Sequence, residues 1–80
     1  MPQPEDIKTY IKQGMPCEFV TVEGDGQHFE AVIVSAEFSG KSRVQRHQRV
    51  YQALGDRMRA EIHALSMRTL TPEEWRGENG

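Results

Sequence analysis

Eighty residues with a formal net charge of −2 leave room for one small domain and a modest hydrophobic core. Twelve acidic residues outnumber ten basic ones, which argues against a dedicated nucleic-acid binder, since such proteins usually carry a basic excess. No apolar run approaches the ~18 residues of a membrane span, and one cysteine excludes an internal disulfide. We therefore expect a cytoplasmic protein without a membrane partner.

The first element along the chain is a short amphipathic helix. Ile7, Tyr10 and Ile11 recur at spacings of three and four residues, which places them on one helical face. Gly14 fits the C-terminal stop of this helix, and Pro16 would prevent its resumption.

A β-hairpin is predicted next. Residues 17–23 and 29–35 are rich in valine, isoleucine and phenylalanine, which favour strands. Gly24, Asp25 and Gly26 lie between them, and glycines tolerate the positive φ angles of tight turns. The two strands are therefore expected to pair antiparallel.

A long helix follows the connector formed by Phe38, Ser39 and Gly40. Ser42 is its predicted N-cap, and Gly55 is its weak point. Its apolar positions recur at helical spacing and predict one buried stripe of about four turns, made of Val44, His47, Val50, Tyr51, Leu54 and Met58.

The last elements predicted are a third strand at 62–70 and a capped turn at 71–75, with residues 1–4 and 77–80 as frayed termini. A hairpin followed by a crossover helix and a third strand gives a three-stranded mixed sheet with helices packed on one face. The predicted fold is thus a single α/β (α+β) domain over residues 1–80, in the order α-β-β-α-β.

Two histidines are candidate metal ligands. His28 ends the hairpin loop and His63 begins the third strand, and neither lies within a run of large apolar side chains, whereas His47 lies on the apolar stripe and is interpreted as structural. Neutral imidazoles bind iron, and two of them replace two thiolates on one iron of a Rieske [2Fe–2S] cluster. Because two histidines and one cysteine cannot supply four ligands, such a cluster would be shared with a thiolate donor outside the chain.

Three segments, in this order, resemble the signature of the BolA-like family, in the branch typified by the bacterial protein IbaG (YrbA). They are Phe38–His47 (FSGKSRVQRH), which opens the long helix, Ile62–Leu65 (IHAL), and Leu70–Trp75 (LTPEEW). The resemblance covers the chain from about Cys17 to Trp75. It implies the order of elements given above, a topology similar to the type II KH arrangement.

The resemblance also implies a function. BolA-like proteins are partners of monothiol glutaredoxins, and the heterodimer bridges a [2Fe–2S] cluster to which the glutaredoxin cysteine and a glutathione thiol contribute. The histidine of the IHAL motif, here His63, is the constant ligand, and the hairpin loop supplies the second, for which His28 is the best match. Cys17 remains the alternative, although it starts the first strand, away from the loop. The expected role is a non-enzymatic adaptor for cluster delivery or for iron and redox sensing.

The alternative is a KH-like nucleic-acid-binding transcriptional regulator, with DNA as the partner. Lys41, Arg43, Arg46 and Arg49 lie on or beside the long helix, and some family members have reported roles in transcription, stress, acid resistance and cell shape. The Gly-x-x-Gly clamp of nucleic-acid-binding KH domains is missing, because Arg43 stands in place of its second glycine. No motif places a nucleophile beside a base, so we expect no enzymatic activity.

Overall fold

Three helices, three strands and two short 3₁₀ turns follow one another in the computed structural model, which describes residues 2–79. The elements are helix α1 (Pro4–Gly14), strands β1 (Phe19–Gly24) and β2 (Phe29–Val34), a 3₁₀ turn (Ala36–Phe38), helix α2 (Arg43–Leu54), a second 3₁₀ turn (Ile62–Ala64), strand β3 (Leu65–Leu70) and helix α3 (Pro72–Asn79). The predicted order α-β-β-α-β is confirmed, with α3 added at its end. Within the described residues, no helix is long and apolar enough to cross a membrane.

The three strands form one mixed sheet in the order β1-β2-β3. β1 pairs antiparallel with β2, and Gly24 lies opposite Phe29 beside the hairpin loop. β2 pairs parallel with β3, in a register that sets Phe29 opposite Leu65 and Val34 opposite Leu70. The hairpin loop and the 3₁₀ turn before β3 therefore meet at one end of the sheet, and the segment that ends β3 lies at the other.

Helices α1 and α2 pack on one face of the sheet, as predicted. Side chains alternate between the faces of a strand, so Phe29, Ala31 and Ile33 share this inner face. They are buried in one core with Ile11 of α1 and Leu54 of α2. The crossover helix thus covers the sheet on the same side as the N-terminal helix.

Helix α3 lies against the opposite face, at the end of the sheet where β3 stops. Phe19, Val34 and Leu70 are neighbours across the three strands and point away from the inner face. The ring of Trp75 stacks on that of Phe19 with centroids 4.9 Å apart. Thr71 caps α3, since its Oγ1 accepts from the Glu74 amide at 3.1 Å.

The structure corrects the predicted long helix. Helix α2 ends at Leu54 because Gly55 adopts φ 60° and ψ −133°, so Met58 is buried from the turns that follow. Val44 is 65% exposed and Tyr51 is 41% exposed. Both lie about 100–120° around the helix from Val50, which faces the core. The buried stripe is therefore narrower than the predicted one.

The third strand and the C-terminal segment also differ from the prediction. Residues 62–64 form the 3₁₀ turn, and β3 begins only at Leu65. Residues 77–79 belong to α3, and the Asn79 side-chain amide donates to the Trp75 carbonyl at 3.0 Å. Fraying of the two ends stays a prediction. Met1 and Gly80, at the two predicted frayed ends, lie outside the described residues.

Candidate functional site

His28 is held at the end of a hydrogen-bonded hairpin loop. The Asp25 carboxylate accepts from the backbone amides of Gln27 at 2.9 Å and His28 at 2.8 Å, and these bonds lower the pKa of Asp25. The Asp25 amide donates back to the His28 carbonyl at 3.2 Å, and Gly26 supplies the positive φ of 93° that the loop requires. The loop backbone is therefore fixed, while the His28 side chain is exposed.

His63 occupies the middle of the 3₁₀ turn that leads into β3. The amide of Ala64 donates to the Glu61 carbonyl at 2.9 Å, and that of Leu65 donates to the Ile62 carbonyl. Ala64 and Leu65 are buried, whereas His63 is exposed. The turn thus places Ala64 and Leu65 in the core and leaves the His63 imidazole exposed at the end of the sheet.

The parallel register brings the two histidines to the same end of the sheet. Phe29 lies opposite Leu65, so His28 and His63 come one and two residues before paired positions on neighbouring strands. Their side chains nevertheless line separate depressions, His28 beside Glu30 and His63 beside Phe29. Among the described residues, no group of three or more histidine, cysteine or acidic side chains is arranged to hold a metal ion.

Cys17 lies at the other end of the sheet. It precedes β1, whose six residues carry the chain over roughly 20 Å to the hairpin loop. Its Sγ donates to the Met15 carbonyl at 3.5 Å, and burial, with a smaller contribution from Glu37, raises the pKa of the Cys17 thiol. Of the two residues considered as second ligand, His28 is the one beside His63.

His47 is half-buried on α2 and lines a cleft beside the start of the helix. Burial lowers the pKa of the His47 imidazole, and Arg43 lowers it further. Its neighbour Arg46 contacts the connector before α2: the guanidinium lies 6.0 Å from the Phe38 ring centroid, and Nε donates to the Lys41 carbonyl at 3.0 Å.

The four basic residues on or beside α2 differ in their partners. Arg46 forms a two-pronged ion pair with Glu74 at 2.7 and 3.3 Å. Arg49 pairs with Glu37 at 2.7 Å and donates to the Gly14 carbonyl of α1 at 3.4 Å, so it is directed away from the other three. Neither Lys41 nor Arg43 forms an ion pair within the described part of the chain.

A cleft of about 670 Å³ lies between the start of α2, the end of β3 and helix α3. Its walls carry four cationic and two anionic side chains, namely Lys41, Arg43, Arg46, Arg68, Glu74 and Glu78. Arg68 was not among the functional residues predicted from the sequence. It alternates with the buried residues of β3, a pattern that indicates a side chain directed away from the core. The Arg46 side chain and the Thr71 amide lower the pKa of Glu74 to about 2, so its carboxylate stays ionised as the partner of Arg46.

The chain is similar to proteins of one family. The family model described as BolA-like protein matches residues 9–74. The DNA-binding transcriptional regulator BolA of Haemophilus influenzae is 50% identical over 56 residues, which make up 70% of this chain but only 54% of that protein. The acid stress protein IbaG of Escherichia coli is 37% identical over 71 residues, or 88% of this chain and 84% of that protein. A bolA protein homologue from Coxiella burnetii has a solved structure that matches with a TM-score of 0.81 and 43% identity, over 95% of this chain and 99% of its own.

Proposed function

This chain belongs to the BolA-like family, and we propose that it is a non-enzymatic adaptor that pairs with a monothiol glutaredoxin and shares a [2Fe–2S] cluster with it. The observation that supports this most is the position of His28 and His63, two exposed imidazoles at the same end of one sheet. The role is cluster delivery or iron and redox sensing.

The donor set of this chain fits one half of such a cluster. Two imidazoles can ligate one iron, as in Rieske centres, and the other iron then needs two thiolates. Cys17 cannot complete the set because it lies at the opposite end of the sheet from the hairpin loop. The glutaredoxin cysteine and a glutathione thiol, the ligands implied by the family resemblance, supply the missing pair.

The local structure around each histidine prepares it for a shared site. The Asp25 carboxylate fixes the backbone that ends at His28, and the 3₁₀ turn fixes the backbone around His63. Both imidazoles are exposed, so a second protein can approach them without unfolding either segment. Bringing both onto one iron requires their side chains to rotate out of the separate depressions that they line.

The test is a titration of this chain into glutaredoxin that carries a [2Fe–2S] cluster and glutathione, followed by visible absorption and circular dichroism. The wild type is expected to give a new cluster spectrum that saturates at one to one. His63→Ala loses it, and His28→Ala weakens or loses it. His47→Ala is the matched control, because it removes a histidine from α2 and leaves the hairpin end of the sheet unchanged.

Two results would contradict the proposal. One is a wild-type titration without any spectral change. The other is a His47→Ala variant that folds normally but loses the cluster, which would move the ligand role from His63 to α2. Thermal unfolding of each variant, measured alongside, separates loss of ligation from loss of the fold.

A second candidate function is sequence-dependent DNA binding. Lys41, Arg43 and Arg46 gather at the start of α2, and the Haemophilus influenzae relative is named a DNA-binding transcriptional regulator. Phosphate contacts by these side chains predict an affinity that falls as salt increases, with a smaller slope in Arg43→Gln. Fluorescence anisotropy of a labelled duplex over a range of salt concentrations tests this, and an unchanged slope in Arg43→Gln would count against it.

A further inference from the structure

The cleft between α2, β3 and α3 concentrates positive charge in a protein whose net charge is negative. Four cationic side chains from three segments converge on it, against two carboxylates, while the whole chain carries −2. His47, which also lines the cleft, is held toward its neutral form by burial and by Arg43. The cleft therefore attracts anions, because its cationic side chains outnumber its carboxylates by four to two.

The cations in the cleft differ in how firmly they are engaged. The Arg46 side chain is only 14% exposed, and its bonds to Glu74 and to the Thr69 carbonyl join α2 to α3 and β3. Arg46 therefore has a structural role. Arg68 is 60% exposed and pairs with Glu78, itself 45% exposed, at 2.7 Å. An exposed pair of this kind contributes little stability, so its guanidinium is readily released to another anion.

Glu78 occupies the position at which an external anion would meet Arg68. Glu74 and Glu78 are one turn apart on α3, so both carboxylates face the same side and reach two arginines from different elements. Lys41 and Arg43 have no such internal partner among the described residues and remain open to a ligand. On one side of the cleft, Arg68 is thus neutralised by Glu78 in a weak ion pair. On the other side, Lys41 and Arg43 have no ion-pair partner among the described residues.

We propose that this cleft binds a small phosphate-bearing ligand of nucleotide size, through Lys41, Arg43 and Arg68, with Glu78 as an internal competitor. Guanidinium groups match phosphate oxygens with paired hydrogen bonds, and several cations suit a ligand with two or more phosphates. A volume of about 670 Å³ lies within the usual range of small-molecule sites.

The same geometry disfavours a long polyanion as the ligand. Duplex DNA presents a phosphate charge about every 1.7 Å along its axis and is best met by cations spread along a surface. Here Arg49 is directed elsewhere, toward Glu37, and two glutamates stand at the α3 side of the cleft, where they would repel a continuing chain of phosphates. A short ligand avoids both problems.

This inference does not depend on the proposed cluster adaptor. The cleft takes Arg68, Thr69 and Leu70 from the second half of β3, whereas His63 precedes the start of the strand. Arg68 is three residues, about 10 Å of strand, beyond Leu65. Failure of either site leaves the other unaffected. A cluster shared at the hairpin end also leaves the cleft accessible.

The experiment is a titration of the nitrogen-15-labelled chain with ADP and, separately, with inorganic pyrophosphate, followed by amide NMR shifts at low salt. Both probes are expected to saturate, with the largest shifts at residues 41–47 and 68–70. The double variant Lys41→Gln, Arg43→Gln is expected to weaken binding at least about tenfold, which corresponds to about 1.4 kcal/mol. Lys12→Gln, which removes one exposed positive charge on α1, is the control away from the cleft and should leave the affinity unchanged.

The variant Glu78→Gln gives a second test. If ADP were held only by general attraction to lysines spread over the surface, this variant would not produce a change centred on one residue of the cleft. It removes the competitor for Arg68, so it should tighten ADP binding several-fold and increase the shift at residue 68. The proposal is overturned if neither probe gives saturable shifts, or if Lys12→Gln weakens binding as much as the double variant. It is also overturned if a DNA duplex saturates the cleft residues while ADP and pyrophosphate do not, which would favour the second candidate function.

Discussion

Replacing Gly14 by alanine is expected to destabilise the protein, although alanine is the better helix former. Gly14 is the last residue of α1, and it lies against the backbone of α2. A Cβ atom at this position would contact the Ala53 carbonyl oxygen and come within 2.7 Å of its Cα and 2.8 Å of its carbonyl carbon. These are backbone atoms, so a side-chain rotation cannot relieve the overlap, and α1 and α2 must move apart.

The expected magnitude follows from two opposing contributions. Overpacking of a well-packed contact costs roughly 1–3 kcal/mol, and the rigid backbone of Ala53 favours the upper part of that range. The gain in helix propensity from glycine to alanine is at most about 1 kcal/mol. The net loss in the free energy of unfolding is therefore about 2 kcal/mol. For a domain of this size, that loss lowers the Tm by roughly 8–16 °C.

Urea and thermal unfolding of Gly14→Ala, followed by far-UV circular dichroism, measure this loss. Gly77→Ala is the matched control, because Gly77 lies within α3 and a Cβ there meets no atom within 4 Å. The control should be neutral or slightly stabilising, since only helix propensity changes. A Gly14→Ala variant as stable as the wild type would refute the close packing of α1 on α2.

Three further predictions concern titratable groups. The Arg46 side chain and the Thr71 amide lower the pKa of Glu74 from 4.5 to about 2, so the stability it contributes is complete above pH 4.5 and is lost as the pH falls toward 2. Glu74→Gln should therefore flatten the fall in the free energy of unfolding over that interval, and an unchanged slope would contradict the ion pair. Burial raises the pKa of the Cys17 thiol, so its alkylation by iodoacetamide near neutral pH should be slower than that of free glutathione, and an equal rate would be inconsistent with a half-buried thiol. Protons compete with iron for imidazole, so the shared cluster should be lost as the pH falls below about 6.5, whereas retention unchanged down to about pH 5 would argue against histidine ligands.

Local chemistry made much of the fold predictable. The glycines around Asp25 indicated the hairpin, and Asp25 indeed accepts from the backbone amides that close it. Ser42 was predicted to cap α2, and its Oγ accepts from the Gln45 amide at 3.2 Å. Such signals lie within a few residues of each other, so they are visible in the sequence.

The features that were missed depend on contacts between distant segments. Gly14 fits a helix stop, but its close approach to Ala53 is set by the packing of two helices. Lys41 precedes α2, and Arg46 and Arg49 lie on it, yet the directions of the two arginines are set by Glu74 and Glu37 on other elements. Spacing along α2 alone does not show that Arg46 pairs with Glu74 on α3.

Metal binding by His28 and His63 stays a prediction, but the placement of the two residues in the fold can be compared with the sequence. The identities of His28 and His63 came from their local motifs, and the parallel pairing of β2 with β3 places both at one end of the sheet. That His63 lies in a 3₁₀ turn, and that the two imidazoles line separate depressions, is not visible in the local sequence motifs.

The most direct test of the adaptor proposal is pulsed EPR of the reduced shared cluster, prepared from this chain labelled with nitrogen-15 at histidine and from unlabelled glutaredoxin. Histidine ligation predicts nitrogen-15 hyperfine coupling from coordinated imidazole, which persists in His47→Ala and is lost or reduced in His63→Ala. A reduced cluster that shows no nitrogen-15 coupling in the wild-type complex would contradict ligation by this chain.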